Sequence, residues 1–258
     1  MNIPSFVNRT KETQRIVSEI GNSYNTSNRV IFVAGRIGIG KSRLIKKVIE
    51  KDVTGFRTIQ PDISKNVAQT ISAGAYIDYL EHSIDKLGKE HTYNDIPSKI
   101  KYSVRLTTLV KIIISGVLSK IFGQSYYYNK LAKYESLIEK RDYIISVLKK
   151  HPYILHIPNV QFIDIESLEI LIDISKKVTN TVFIMEYTID ESFDESQLYS
   201  LMEHFKTMNG RLSYIIIDKL PFDEVRRITN HSIPSNILRE IYNRFNGNIY
   251  QLLLCKDD

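Results

Sequence analysis

"GRIGIGKS", residues 35 to 42, matches the pattern G-x-x-x-x-G-K-[S/T] at every required position. Three of the chain's 11 glycines fall within these eight residues. The apolar run 30–34 precedes them, and apolar residues at helical spacing follow over 43–51. The sequence therefore predicts a loop that joins the end of a strand to the start of a helix.

The residue types in this loop suit the binding of a phosphate chain. Glycine lets the backbone turn tightly and direct its N–H groups inward, and the following helix adds the positive end of its dipole. Lys41, the first catalytic candidate, is expected to reach the β- and γ-phosphates, and the Ser42 hydroxyl is expected to bind Mg²⁺. A turn that merely resembles the motif is the alternative. The predicted nucleotide-binding residues of the loop are Gly35, Arg36, Ile37, Gly38, Ile39, Gly40, Lys41, Ser42 and Arg43.

The composition is that of a globular protein with a sizeable core. Of its 258 residues, 43% are apolar, and its net charge is +6. This positive charge permits anionic partners but is modest for a dedicated nucleic-acid binder. The single cysteine, Cys255, excludes an internal disulfide and a four-thiolate zinc site, and favours a reducing compartment such as the cytoplasm.

The sequence predicts no contact with a membrane. Residues 1–16 carry polar and charged side chains where a secretory signal needs an apolar stretch. The most apolar later run, 112–118, is about a third of a bilayer-spanning length, and charged residues bracket it. It is interpreted as part of a buried helix.

Short apolar runs alternate with helical patterns along the chain, which predicts an α/β fold with a parallel central sheet between two layers of helices. The predicted strands are 30–34, 55–59, 153–157, 182–186 and 214–217. The predicted helices are 75–87, 100–122, 130–150, 167–178, 222–230 and 234–245. We interpret 1–219 as the core domain, with a helical insertion at about 61–150, and 220–258 as a small C-terminal helical lid.

Five segments in the right order resemble the additional-strand P-loop ATPases, and especially the signal-transduction ATPases with numerous domains and their AAA+ and origin-recognition relatives. They are "FVNRTKETQRI" (6–16), "YILHIPNVQFIDIESLEIL" (153–171), "TVFIMEYTIDE" (181–191), "DKLPFDEVRRI" (218–228) and "RFNGNIYQLLL" (244–254). The resemblance implies a P-loop NTPase fold with a lid, bound ATP or ADP with Mg²⁺, and self-association or a larger protein assembly. It also implies that Arg9 lies near the nucleotide base.

The second of these segments, 153–171, departs from the family pattern. Alignment through Gln161 places the two usual acids, which position Mg²⁺ and polarise the attacking water, at Pro158 and Asn159. Neither residue replaces a carboxylate, so hydrolysis by the usual route is not expected. The other candidates for the metal acid are Asp164, which is the second catalytic candidate, or Glu166, and then Asp218 and Glu186. Asp164 and Glu166 alternatively cap the next helix. The remaining alternative is a protein that binds nucleotide and hydrolyses it slowly or not at all.

Three functions stay open. The first is a nucleotide-dependent switch or assembly ATPase with ATP as the favoured nucleotide; the second is a nucleic-acid-acting ATPase of the initiator or loader kind; the third is a pseudo-ATPase scaffold. Pairs of basic residues are scattered over several predicted helices, which favours solvated faces over one nucleic-acid surface. The sequence contains no H-E-x-x-H zinc motif and no G-x-S-x-G nucleophile motif.

Overall fold

A computed structural model describes residues 9–23, 28–61, 74–90, 125–206, 212–228, 233–245 and 247–248. The helix predicted at 100–122, with its apolar run 112–118, lies outside these residues.

Five strands form one sheet, and each corresponds to a predicted apolar run. They are β1 (Arg29–Arg36), β2 (Arg57–Ile59), β3 (Tyr153–Ile157), β4 (Thr181–Ile189) and β5 (Leu212–Ile217). The described helices are α1 (Thr10–Gly21), α2 (Lys41–Lys47), α3 (Ala75–Glu90), α4 (Ser125–Leu148), α5 (Ile165–Lys177), α6 (Glu195–Glu203), α7 (Phe222–Ile228) and α8 (Ser235–Arg244). A single π-helical turn, Val48–Asp52, follows α2.

The strand order across the sheet is β2-β3-β4-β1-β5, and all five strands are parallel. The strand that leads into the glycine-rich loop is therefore flanked by β4 on one side and β5 on the other. In this register Val33 of β1 lies opposite Glu186 of β4, and Ile157 at the end of β3 lies opposite Met185. The predicted α/β fold with a parallel sheet is confirmed.

The core around β1 explains why these apolar runs form buried strands. Residues 30–35 of β1 are all buried, as expected for a central parallel strand covered on both faces. Side chains from α1 and α2 pack against β1, β4 and β5 in one cluster, which includes Ile16, Ile20, Ile31, Val33, Leu44, Ile45, Ile184 and Ile217. This packing fixes the end of β1 and the start of α2, and so fixes both ends of the loop between them.

The chain divides into two compact units. One consists of Met1–Thr58, Pro152–Gln161 and Asn180–Asp258, and the other of Ile59–His151 and Phe162–Thr179. In the second unit α3, α4 and α5 are joined by polar contacts: Tyr143 donates to Asp85 at 2.7 Å, and the guanidinium of Arg141 lies 2.8 Å from Asp173.

The C-terminal helices α7 and α8 enclose a small apolar cluster of their own in the first unit. It consists of Leu220, Val225, Leu238 and Tyr242. The Tyr242 hydroxyl donates a 2.7 Å hydrogen bond to the Leu220 carbonyl, which ties α8 to the segment that follows β5. None of the described helices is both long and apolar enough to cross a membrane.

Candidate functional site

The loop between β1 and α2 contains two backbone conformations that favour glycine. Gly38 has φ 72° and Gly40, the residue that precedes α2, has φ 98°. A Cβ atom is strained in this left-handed region, at a cost of about 1–2 kcal/mol per residue. These two glycines are therefore needed for the course of the loop.

Gly35 is needed for a different reason, which is close packing. It lies at the end of β1 between Thr188 of β4 and Ile217 of β5. A Cβ atom added to it would lie 2.7 Å from the Ile217 carbonyl oxygen and 3.1 Å from Cγ2 of Ile39. The first glycine of the motif therefore permits β5 to approach the loop.

Lys41 lies inside the curve of the loop. Only 5% of it is exposed, and its Nζ donates to the carbonyl oxygens of Gly35 at 2.9 Å and Arg36 at 3.0 Å. Burial lowers the pKa of Lys41, and the negative charges of Glu186 and Asp190 oppose that shift. Among the described contacts, two carbonyl oxygens hold this ammonium group against the loop backbone, and an anion could replace them.

Ser42, in the first turn of α2, contacts a buried acid from a neighbouring strand. Its Oγ donates to Oε1 of Glu186 at 2.6 Å, across 144 residues of sequence. The other carboxylate oxygen, Oε2, lies 3.2 Å from Nε2 of His156 on β3. Glu186 is 4% exposed and His156 is 2% exposed, so the pair lies beneath the loop rather than at the surface.

The environment of Glu186 keeps it ionised. Burial alone would raise its pKa, but the hydrogen bonds from His156 and Ser42 and the positive charge of Lys41 outweigh burial and lower the pKa below its usual value. Because an ionised carboxylate accepts hydrogen bonds only, His156 donates to it through Nε2. A fixed negative charge therefore lies next to the hydroxyl expected to bind Mg²⁺.

Arg9 lies under the far end of the loop. One of its guanidinium nitrogens, Nη2, donates to the carbonyls of Ile39 at 3.2 Å and Asp218 at 2.8 Å. The other, Nη1, pairs with Glu12 at 3.2 Å. Only 5% of Arg9 is exposed. In this structure Arg9 therefore joins the loop to the residue that follows β5.

The turn after α8 also contacts the loop. Nδ2 of Asn248 donates to the Ile37 carbonyl at 3.0 Å. The same side chain fills the space in front of Gly38, where an added Cβ atom would lie 2.4 Å from Oδ1 of Asn248. The predicted lid segment and the glycine-rich loop are thus in direct contact.

We expect Gly38→Ala to lower the free energy of unfolding by about 1–3 kcal/mol, because alanine is strained at a positive φ and also overlaps Asn248. Urea unfolding measures this penalty in the natural background and in an Asn248→Ala background. In the Asn248→Ala background the penalty of Gly38→Ala should be smaller, because only the backbone strain at residue 38 remains. Equal penalties in the two backgrounds would show that residue 38 and the lid segment do not meet.

The other predicted loop residues occupy distinct positions. Ile37, at the tip, is 67% exposed, whereas Ile39 is 2% exposed and packs in the core. Arg36 and Arg43 are exposed, at the end of β1 and in α2. The Ile39 side chain therefore anchors the loop in the core and is not available to a ligand.

The end of β3 contains no acid. Asn159 there has φ 51°, so the chain turns sharply after Pro158. Oε1 of Gln161, which matches the family pattern, then accepts a 3.3 Å hydrogen bond from the backbone N–H of Thr188 at the end of β4. The segment after β3 therefore contacts the end of β4 through the side-chain amide of Gln161, and it has no carboxylate at the position of the usual acids.

Asp164, the second catalytic candidate, belongs to the other compact unit. It precedes α5 and accepts hydrogen bonds from the backbone N–H groups of Ser167 at 2.9 Å, Gly74 at 2.7 Å and Tyr76 at 3.4 Å. Both of its oxygens are therefore engaged in ordering that unit. Glu166 lies in the first turn of α5, where an acidic residue is favourable.

Comparison with known proteins places the fold. No protein-family model matches the sequence, and no curated protein matches it. Among solved structures, the chain is similar to the Walker-type ATPase paby2304 of Pyrococcus abyssi, with a TM-score of 0.55 and 11% identity over 99% of this chain and 69% of that one. It is also similar to Drosophila ORC bound to DNA, with a TM-score of 0.53 and 11% identity over 99% of this chain and 56% of that one. The chain therefore has the P-loop NTPase fold.

Proposed function

We propose that the chain is a nucleotide-binding P-loop module, with ATP as the favoured nucleotide, and that the bound nucleotide controls a conformational switch or an assembly. The observation that supports this proposal is the position of Lys41. Its ammonium group lies inside a loop closed by two left-handed glycines, bonded only to loop carbonyls among the contacts described above. A polyphosphate that enters the loop would replace those carbonyls as the partner of the ammonium group.

The residues around Ser42 fit a magnesium ion that accompanies the phosphates. Mg²⁺ prefers hard oxygen ligands and usually takes one or two from the protein, with phosphate oxygens and water completing its shell. Ser42 supplies a hydroxyl oxygen, and Glu186 supplies a carboxylate 2.6 Å from it. Mg²⁺ bound there would neutralise charge on the β- and γ-phosphates.

The contact between Asn248 and the loop supports a switch. The Asn248 amide donates to the Ile37 carbonyl and fills the space in front of Gly38, on the same loop that we propose for the phosphates. A nucleotide that changes this loop would change its contact with the C-terminal helices. The ligand shifts the equilibrium only as far as it binds one arrangement better than the other.

A thermal-shift titration tests the binding proposal. ATP, ADP and GTP are each added with and without Mg²⁺, and the unfolding temperature is measured. Binding to the folded state at 100 times Kd stabilises by about 2.7 kcal/mol, which corresponds to about 5–10 °C for a chain of this size. We expect the largest shift with ATP and Mg²⁺. No shift with any of the three nucleotides would refute the proposal.

Turnover separates the switch ATPase from a scaffold that binds nucleotide for stability alone. The end of β3 lacks both acids, so we propose slow hydrolysis at most. A single-turnover measurement with enzyme in excess over labelled ATP distinguishes the two functions. ADP formation supports a switch reset by hydrolysis, whereas bound ATP that stays intact supports the scaffold.

A nucleic-acid-acting ATPase is a second candidate, supported by two observations. Drosophila ORC bound to DNA is among the similar structures, and this chain carries a net charge of +6. DNA binding through phosphate contacts would weaken steeply as salt rises. Fluorescence anisotropy with a labelled duplex at 50 and 200 mM salt tests it, and no binding at 50 mM salt would remove this candidate.

A further inference from the structure

The sheet places Glu186 beside the position where β3 lacks an acid. Ile157, the last residue of β3, lies opposite Met185 of β4. Continued by one residue, this register sets Pro158 level with Glu186, and residues level with each other in a parallel sheet direct their side chains to the same face. A carboxylate thus lies one strand away, at the height where the family pattern has its first acid.

Because of the strand order, a carboxylate on β4 lies closer to the glycine-rich loop than one at the end of β3 would. β4 is the neighbour of β1, and Glu186 lies opposite Val33, two residues before Gly35. From there the carboxylate reaches the Ser42 hydroxyl at 2.6 Å. The contact does not depend on any residue of the other compact unit.

We propose that Glu186 supplies the carboxylate of the magnesium site, in place of the acids absent from the end of β3, and that it acts together with the Ser42 hydroxyl. This inference rests on the proposed nucleotide-binding function. The two oxygens of Glu186 have separate roles. Oε1 faces Ser42, whereas Oε2 is held by His156, so His156 is a positioning residue that fixes the orientation of the carboxylate.

Two other acids near this site, Asp190 and Asp218, are exposed rather than buried. Asp190 is exposed, and its Oδ1 accepts from the N–H groups of Ser192 and Phe193 in the turn after β4. Asp218 is exposed beyond β5, and its carbonyl is bonded to Arg9. Among the described residues, Glu186 is the buried acid that contacts α2, the helix after the glycine-rich loop.

The test measures how much Mg²⁺ improves ATP binding. Isothermal titration gives the Kd of ATP with Mg²⁺ and with EDTA, for the natural protein, Glu186→Gln and Glu191→Gln. Glutamine keeps the size of Glu186 and an oxygen that can accept from Ser42, but it removes the charge. Glu191 is exposed two residues beyond the end of β4 and provides the matched control.

We expect Glu186→Gln to reduce the Mg²⁺-dependent gain in ATP affinity roughly 10-fold or more. Its affinity without Mg²⁺ should be unchanged or tighter, because a negative charge near the phosphates has been removed. Glu191→Gln should behave like the natural protein. A Glu186→Gln variant with the full Mg²⁺ gain would overturn the inference, as would equal losses with and without Mg²⁺, which indicate only structural damage.

A second measurement tests the metal site directly, through the affinity for Mn²⁺. The Mn²⁺ concentration that half-saturates the protein–ATP complex should rise for Glu186→Gln, and to a smaller extent for His156→Gln, which can still donate through its amide. Unchanged Mn²⁺ affinity in Glu186→Gln would contradict the proposal. If the natural protein fails to bind ATP with or without a metal ion, it is the proposed function that fails instead.

Discussion

Lys41→Ala is expected to weaken ATP binding roughly 10- to 100-fold, because charge-assisted hydrogen bonds contribute about 1.5–3 kcal/mol. At an ATP concentration that stabilises the natural protein by about 2.7 kcal/mol, the variant would be stabilised by only about 0.4–1.4 kcal/mol. Thermal-shift titration with ATP and Mg²⁺ measures the difference. The physical reason is that Lys41 is the buried cation held against the loop carbonyls of Gly35 and Arg36.

The unliganded stability of Lys41→Ala is expected to change much less. The variant loses two hydrogen bonds to loop carbonyls, but it also removes a buried charge, and these effects oppose one another. Lys46→Ala is the matched control, since Lys46 lies on the same helix, is 74% exposed and pairs only at 3.8 Å with Glu50. Equal ATP-induced shifts in the natural protein, Lys41→Ala and Lys46→Ala would place the nucleotide elsewhere.

Gly35→Ala is expected to lower the free energy of unfolding by about 1–3 kcal/mol, the usual cost of overpacking a well-packed core. The added methyl group would lie 2.7 Å from the Ile217 carbonyl oxygen, and this contact is to the backbone of β5 rather than to a flexible side-chain end. To make room, β5 would have to separate from β1 at the point where the loop begins. Urea unfolding without nucleotide measures the loss.

Gly21→Ala provides the comparison for Gly35→Ala. Gly21 ends α1, and an added Cβ atom there has nothing within 4 Å. Alanine also has a higher helix propensity than glycine, so this change should leave stability unchanged or raise it by up to about 1 kcal/mol. A Gly35→Ala variant as stable as Gly21→Ala would mean that β5 does not approach the loop as the structure shows.

The class of fold could be predicted from the sequence because its signals are local. Five short apolar runs rich in β-branched and aromatic residues became the five strands, and the glycine-rich motif lies between β1 and α2. Two described helices, α1 and α6, were not predicted from the sequence, although α6 has a local signal. Asp194 precedes it and accepts from the backbone N–H of Gln197, which is a typical N-terminal cap.

The partner of Ser42 could not be predicted with the same certainty, because it depends on strand order. The sequence offers Glu186 as one of three alternatives to the missing acids, because it ends an apolar run that is expected to form a central strand beside the loop. Only the insertion of β4 between β1 and β3 brings it to Ser42. The histidine that interrupts the apolar run of β3 was the available signal for its partner, since a buried polar side chain needs a hydrogen bond.

The contacts of Arg9 with the loop and the strand end have a mechanical consequence. A single guanidinium nitrogen holds the carbonyls of Ile39 and Asp218, which are 179 residues apart in sequence but separated by one side chain in space. If the backbone near Ile39 shifts, the pair of bonds must break or Asp218 must travel with it. Two residues beyond Asp218, Leu220 enters the apolar cluster of α7 and α8. A displacement of the loop would therefore be passed to the C-terminal helices through the planar guanidinium group of Arg9.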